Sequence, residues 1–219
     1  VKAIVDAWAH ADLAYYYPSG KEMLLRHGEF IPMRGRLDFG YISLDHKHKE
    51  TVVSFQGTDL AREWRQNLRC LTTDKKGFAF TAFSEPYLMD FKPFVEDCLN
   101  MYPDYSISFR GHSRGGAIAG NAAMHIAEAG VPNSCITFGE PPPFTKEGRD
   151  YVNKLPIDYT WVKNGWDIVC SAVPHGKHAG KLYQLKQPFW HRFLPFRIAD
   201  HTKYARRVRN LFNKLAKES

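Results

Sequence analysis

The stretch Gly111-His112-Ser113-Arg114-Gly115 constrains this chain more than any other. It reads G-x-S-x-G. The alternating, β-favouring run Tyr105-Ser106-Ile107-Ser108-Phe109 precedes it, and a small-residue run, Ala117 through Ala127, follows it. A strand, a glycine-flanked serine and a helix make a nucleophile elbow, a turn so tight that bulky neighbours would clash. Ser113 is then expected to stand exposed at the head of a helix, whose positive end favours developing negative charge. The plainer alternative is a glycine-rich turn with a solvated serine. To displace it, the rest of the chain must supply a base, an acid and oxyanion donors.

Periodicity gives the frame around the elbow. Residues 2–17 carry a helical apolar pattern, with Ile4, Val5, Trp8, Ala11 and Leu13, and Pro18-Ser19-Gly20 ends it. Residues 21–37 read as loop or short strand. Gly40–Asp45 and Glu50–Gln56 read as two strands joined by His46-Lys47-His48-Lys49. His46 and His48 are better explained as a solvated turn than as metal ligands, since no third ligand lies nearby. Residues 70–85 look irregular. Pro86 to Met101 reads as an amphipathic helix with Leu88, Phe91, Phe94, Val95 and Leu99 inward. Cys135–Phe138 and Tyr159–Val162 are short strands, and residues 201–217 a basic amphipathic helix. Alternating strands and helices indicate an α/β sheet.

Composition sets the limits. At 219 residues, with 44% hydrophobic and 24% charged residues, the chain fits one soluble globular domain spanning 1–219. No apolar run reaches membrane-span length, and Val1-Lys2-Ala3-Ile4-Val5-Asp6 does not read as an intact signal peptide. Cys70, Cys98, Cys135 and Cys170 lack zinc-site spacing; read as isolated buried thiols, they favour a reducing, cytoplasmic compartment. The net charge of +7 attracts anionic partners, namely nucleic acid, lipid headgroups or acidic substrates, without choosing among them.

An activated serine needs a base and a carboxylate that orients it. In sheet-based hydrolases the chain order is Ser, Asp or Glu, then His. Asp167 follows a strand and so lies on the carboxyl edge of the sheet, where such sites sit. Glu140 is the runner-up, whereas Asp150 and Asp158 precede the strand. For the base, His175, His178, His191 and His201 all lie downstream of Asp167, and His201 is placed best, at a loop-to-helix junction. One oxyanion donor is the amide of Arg114, and Gly57-Thr58, ending an earlier strand, fits the second.

Several segments together are similar to class 3 lipases, the fungal triacylglycerol lipase type. Val53–Asp59 resembles their FRGT segment, Gly111–Ala117 their GHSLGGA, and Thr137–Pro141 their TFGxP. Val162–Val169 resembles the segment around the acid, His178-Ala179-Gly180 with Tyr183 a structural hairpin, and His201-Thr202-Lys203-Tyr204 the segment of the base. The resemblance implies an α/β-hydrolase fold with Ser113, Asp167 and His201 as a triad and Thr58 and Arg114 shaping the oxyanion hole. It also implies a structural role for His178 and Glu140, and a lid around Trp64. Three positions depart from the pattern: Arg114 replaces Leu, Gln56 replaces Arg, and Arg62, Glu63, Arg65 and Arg69 charge the lid. A guanidinium beside the nucleophile would favour an acyl group bearing a carboxylate or phosphate.

The implied activity is hydrolysis of acyl esters of lipids through an acyl-enzyme, with no metal or organic cofactor. The aromatic and cationic loop 187–197, just before His201, could rest on an anionic membrane. A phospholipase A1-like enzyme is the alternative within the same chemistry. A non-catalytic basic protein that binds membrane or nucleic acid is the alternative outside it, and the intact Ser, Asp and His argue against it.

Overall fold

The computed structural model describes residues 1–16, 28–36, 39–57, 72–187 and 193–218. Among them, seven strands form one sheet in sequence order: β1 (Gly28–Arg34), β2 (Phe39–Asp45), β3 (Glu50–Phe55), β4 (Ser106–His112), β5 (Asn133–Phe138), β6 (Ile157–Asn164) and β7 (Lys181–Leu185). The first three strands form an antiparallel meander, and β3 through β7 run parallel. The turn between β2 and β3 is tied by Asp45, whose Oδ1 accepts the amides of Lys47 and His48, both at 3.0 Å. His48 Nδ1 meets Asp45 Oδ2 at 2.7 Å, so the turn histidine serves its own turn.

Helices cover both faces of the parallel part. Strand β4 is therefore buried from Ile107 to His112 rather than on alternate residues. Helix α1 (Lys2–Tyr16) lies on one face, where Ile4, Ala7 and Ala11 pack with Phe138 and Val162 of the sheet. Three helical segments lie on the other face: α2 (Thr81–Pro86), α3 (Lys92–Met101) and α4 (Arg114–Glu128). There Val95, Ile118 and Ala122 pack with Phe109, Cys135 and Tyr159. Cys135 against Phe138, and Tyr159 against Val162, show the period-two alternation that divides each strand between the faces. Helix α5 (Lys146–Val152) begins at Thr145, whose Oγ1 accepts the Gly148 amide at 3.0 Å. Helices α6 (Leu194–Thr202) and α7 (Tyr204–Glu218) close the chain, and Tyr204 and Val208 of α7 join the face of α1.

Four differences from the sequence reading have physical causes. The helix before β4 begins at Thr81, not Pro86, and Pro86 lies inside it. A π-helical turn, Tyr87–Phe91, follows that proline and resets the phase of the helix. Phe91, Val95 and Cys98 then face inward, and Phe94 falls off the stripe at 39% exposed. Strand β7 is an edge strand with little apolar alternation to announce it, whereas β1, at the other edge, lies within the stretch read as loop or short strand. The segment read as a loop from 187 to 197 becomes helix α6 from Leu194, with Pro195 in its first turn, where proline suits a helix. Cys98, Cys135 and Cys170 are buried free thiols, and Cys70 lies outside the described residues.

Candidate active site

The site lies where β3, β4, β5 and β6 end. Strand β4 runs straight into α4, and the joint is Ser113, with φ 57° and ψ −132°. A positive φ is costly for a residue with a Cβ, so the surroundings must hold it. They do so from both sides. The Ser113 amide donates to the Phe138 carbonyl of β5 at 2.8 Å, and a Cβ on Gly115 would overlap the Phe55 carbonyl of β3. The elbow is thus wedged between two strand ends, and the glycine is required by contact.

His201 lies in the last turn of α6, with Nε2 2.9 Å from Ser113 Oγ. Its Nδ1 is 3.1 and 3.0 Å from the two oxygens of Asp167. A carboxylate only accepts, so Nδ1 carries the proton and Nε2 faces the serine hydroxyl as acceptor. Asp167 is completely buried. Its charge is met by three donors: His201, the Val169 amide on Oδ1 at 2.9 Å, and the Tyr204 hydroxyl on Oδ2 at 2.8 Å. The loop carrying Asp167 is pinned in turn by α6. Asp200 Oδ2 accepts the Trp166 amide at 3.0 Å, and Asn164 Nδ2 donates to the Asp200 carbonyl at 2.7 Å.

The structure therefore brings Ser113, Asp167 and His201 together, from segments spread over nearly ninety residues of sequence. The backbone of Arg114 sits at the head of α4, beside Ser113. Its guanidinium Nη2 reaches the Ala82 carbonyl at 3.4 Å. That carbonyl lies four residues before Pro86, which has no amide hydrogen to offer it. Burial lowers the Arg114 pKa to about 10. The Arg114 side chain thus reaches helix α2. Thr58, Trp64 and the charged residues around it, and His191, lie outside the described residues. Gly57 is described, and a Cβ there would come within 3.1 Å of the Ser113 Cβ, so the end of β3 passes directly beside the serine.

The other candidates are placed elsewhere. Glu140 is buried, receives the Tyr159 hydroxyl at 2.8 Å and faces His178 Nδ1 at 2.9 Å. His175 is exposed at φ 62°. Asp158 lies at the opposite end of β6, and Asp150 on α5. Sequence reasoning missed Tyr15, His112 and Asp200. Tyr15 sits in an apolar helical stripe, and nothing local distinguishes it from a core residue.

The profile of the family described as Lipase (class 3) matches residues 52–176, more than half of the chain, and the chain belongs to that family. A Fusarium solani protein named secreted mono- and diacylglycerol lipase 1 is 30% identical over 119 residues, covering 51% of this chain and 34% of its own length. A Caenorhabditis elegans lipase is 30% identical over 150 residues, 62% of this chain and 40% of that protein. The chain thus spans less than half the length of the curated relatives it matches. The crystal structure of a lipase from Rhizopus microsporus var. chinensis superposes with TM-score 0.70 at 27% identity, covering 84% of this chain and 74% of that one. The α/β-hydrolase fold follows from these structural matches and from the mostly parallel sheet. Among the described residues, no helix is long and apolar enough to cross a membrane.

Proposed function

We propose that the chain hydrolyses carboxylic esters of lipids, with Ser113 as nucleophile, His201 as general base and acid, and Asp167 as the group that orients and balances His201. The observation that carries this reading is the continuous chain of contacts from Ser113 Oγ to His201 Nε2, at 2.9 Å, and from His201 Nδ1 to Asp167, at 3.0 Å. Ser113 Oγ attacks the ester carbonyl while its proton passes to Nε2. The resulting imidazolium returns that proton to the leaving alcohol, and an acyl-serine remains. Water then attacks the acyl carbon, giving a proton to Nε2, which passes it to Ser113 Oγ as the bond from carbon to Oγ breaks, so the acid leaves and the serine is restored. In each step the oxyanion is held by the Arg114 amide at the positive end of α4 and by a donor at Thr58.

The name of the Fusarium relative makes mono- and diacylglycerols the first natural esters to try. The test is hydrolysis of p-nitrophenyl esters from acetate to palmitate, with Ser113→Ala beside the wild type. Turnover with a chain-length optimum, lowered at least about 10³-fold in the variant, supports the reading. Turnover unchanged by Ser113→Ala would sink it.

A second reading, a phospholipase A1-like enzyme on anionic membranes, is favoured by one feature. Phe193 and Ile198 of the α6 region and Trp166 of the acid loop are exposed, and Arg197 lies among them with Nε 3.2 Å from the Trp166 carbonyl. Apolar side chains beside a cation suit an anionic lipid surface. Activity on phosphatidylcholine vesicles that rises with added phosphatidylglycerol would support it, and activity indifferent to the anionic lipid would count against it.

A further inference from the structure

We propose that His112, the residue before the nucleophile, is the positioning residue for His201, itself held in a single tautomer by Tyr15. The proposal rests on the triad reading above, which makes His201 the base.

His112 has both ring nitrogens engaged. Nε2 lies 3.1 Å from the backbone carbonyl of His201, and Nδ1 lies 2.8 Å from the Tyr15 hydroxyl. A carbonyl only accepts, so Nε2 carries the hydrogen. Nδ1 is then an acceptor, and the Tyr15 hydroxyl donates to it. The two bonds select one tautomer between them. The His112 ring also stacks on the His201 ring, with centroids 4.8 Å apart and planes 25° apart. Trp8 and Tyr204 meet it edge-on at 5.5 and 5.3 Å.

These contacts hold the backbone and one ring face of His201, and Asp167 holds the ring nitrogen. His201 needs both. It lies in the last turn of α6, where carbonyls have no donor within the helix. Without the His112 bond, that turn could rotate the imidazole off the line between Asp167 and Ser113. Tyr15 reaches His112 only because residue 57 is glycine; a Cβ there would overlap its hydroxyl oxygen. Helix α1, far from the elbow in sequence, is thereby connected to the base. Burial, with the neighbouring His201, pushes the His112 pKa down to about 3, so its ring stays neutral and does not compete for the imidazolium charge.

The test compares wild type, His112→Leu, His112→Gln and Tyr15→Phe in ester hydrolysis and in the low-field ¹H NMR signal of the His201 Nδ1–H, assigned by its loss in His201→Ala. His112→Leu is expected to lower kcat about 10–100-fold, the range seen when a group orienting a working ligand is removed, with KM within about twofold. Its Nδ1–H signal should broaden. His112→Gln places an N–H near the former Nε2 and should recover kcat to within about threefold of wild type. Tyr15→Phe should cost a few-fold in the same direction. A folded His112→Leu with wild-type kcat and an unaltered low-field proton overturns the proposal. If His112→Leu fails to fold, unchanged kcat and proton in Tyr15→Phe overturn it equally. Failure of the triad reading looks different: wild type without turnover, or turnover indifferent to Ser113→Ala. The NMR comparison then decides the positioning role by itself.

Discussion

Two carboxylate–histidine pairs lie on the same edge of the sheet and are built almost alike. Asp167 follows β6 and Glu140 follows β5, and both carboxylates are wholly buried. Each faces the Nδ1 of a histidine, at 3.0 Å for His201 and 2.9 Å for His178. Each accepts a tyrosine hydroxyl at 2.8 Å, from Tyr204 and Tyr159 respectively. The difference is at the other nitrogen. His201 Nε2 faces the Ser113 hydroxyl, which both donates and accepts. His178 Nε2 faces the Cys170 carbonyl at 3.0 Å, which only accepts, and the ring is stacked on Trp161 with centroids 3.8 Å apart. A nitrogen bonded to a carbonyl must keep its proton, so His178 cannot act as a base. Two pairs with the same inner geometry thus differ in competence through one outer contact. The inert pair still matters, because Cys170 lies in the turn just after Asp167, and His178 anchors that turn.

The same chemical change should separate the two pairs most sharply. Asp167→Asn presents an amide N–H to His201 Nδ1, forces the hydrogen to Nε2, and is expected to lower kcat about 10⁴-fold. Glu140→Gln alters only the partner of His178, whose Nε2 stays on the Cys170 carbonyl with its hydrogen and away from Ser113, so kcat should stay within about threefold. Initial rates against Ser113→Ala as background measure both, and equal losses in the two variants would break the comparison.

Removing the inert carboxylate altogether should show in stability. Glu140→Leu leaves His178 Nδ1 and the Tyr159 hydroxyl buried without a partner and should cost about 3–5 kcal/mol in urea unfolding. A cost below about 1 kcal/mol would mean that the pair does not anchor the loop.

A third histidine extends the contrast, for His112 is buried with no carboxylate bonded to it. Its folded pKa of about 3 lies below the ordinary 6.5. Between those values the unfolded chain binds a proton that the folded chain does not. This group's share of stability is therefore full above pH 6.5 and falls as pH drops toward 3, by about 2 kcal/mol at pH 5. Unfolding free energies at pH 7 and pH 5 test it: His112→Gln should flatten the difference, and an unchanged slope would count against a neutral His112.

The smallest effect expected is at the tyrosines. Tyr204→Phe removes one donor from Asp167 and should cost about tenfold in kcat, whereas Tyr159→Phe should cost about 1 kcal/mol of stability and leave kcat unchanged. Steady-state rates and thermal melts of the two variants, taken together, decide it.

Much of the site was legible in the sequence because its parts carry local signatures. The elbow needs glycines at fixed offsets from a serine, which small-residue spacing reveals. The acid needs a strand end, which β-favouring Tyr159–Val162 marks. The choice among four histidines rested on their position after Asp167, and then on the family pattern at His201-Thr202-Lys203-Tyr204. Helix α6 escaped because its start, Pro195, sits among aromatic and basic residues with no clean apolar stripe. Phe94 was misplaced because a π-helical turn after an internal proline has no signature in a 3.6-residue pattern.

By itself, then, the sequence determined the alternation of strands and helices and the glycine-flanked serine turn, since each depends on residues adjacent in the chain. Only the tertiary structure decided which histidine can accept a proton. That depends on what lies across from Nε2, a hydroxyl for His201 and a carbonyl for His178, and both partners come from distant segments. It also decided that Tyr15, on the first helix, touches the residue before the nucleophile. No spacing in the sequence encodes that contact, because packing against β4 and the absence of a Cβ at Gly57 create it.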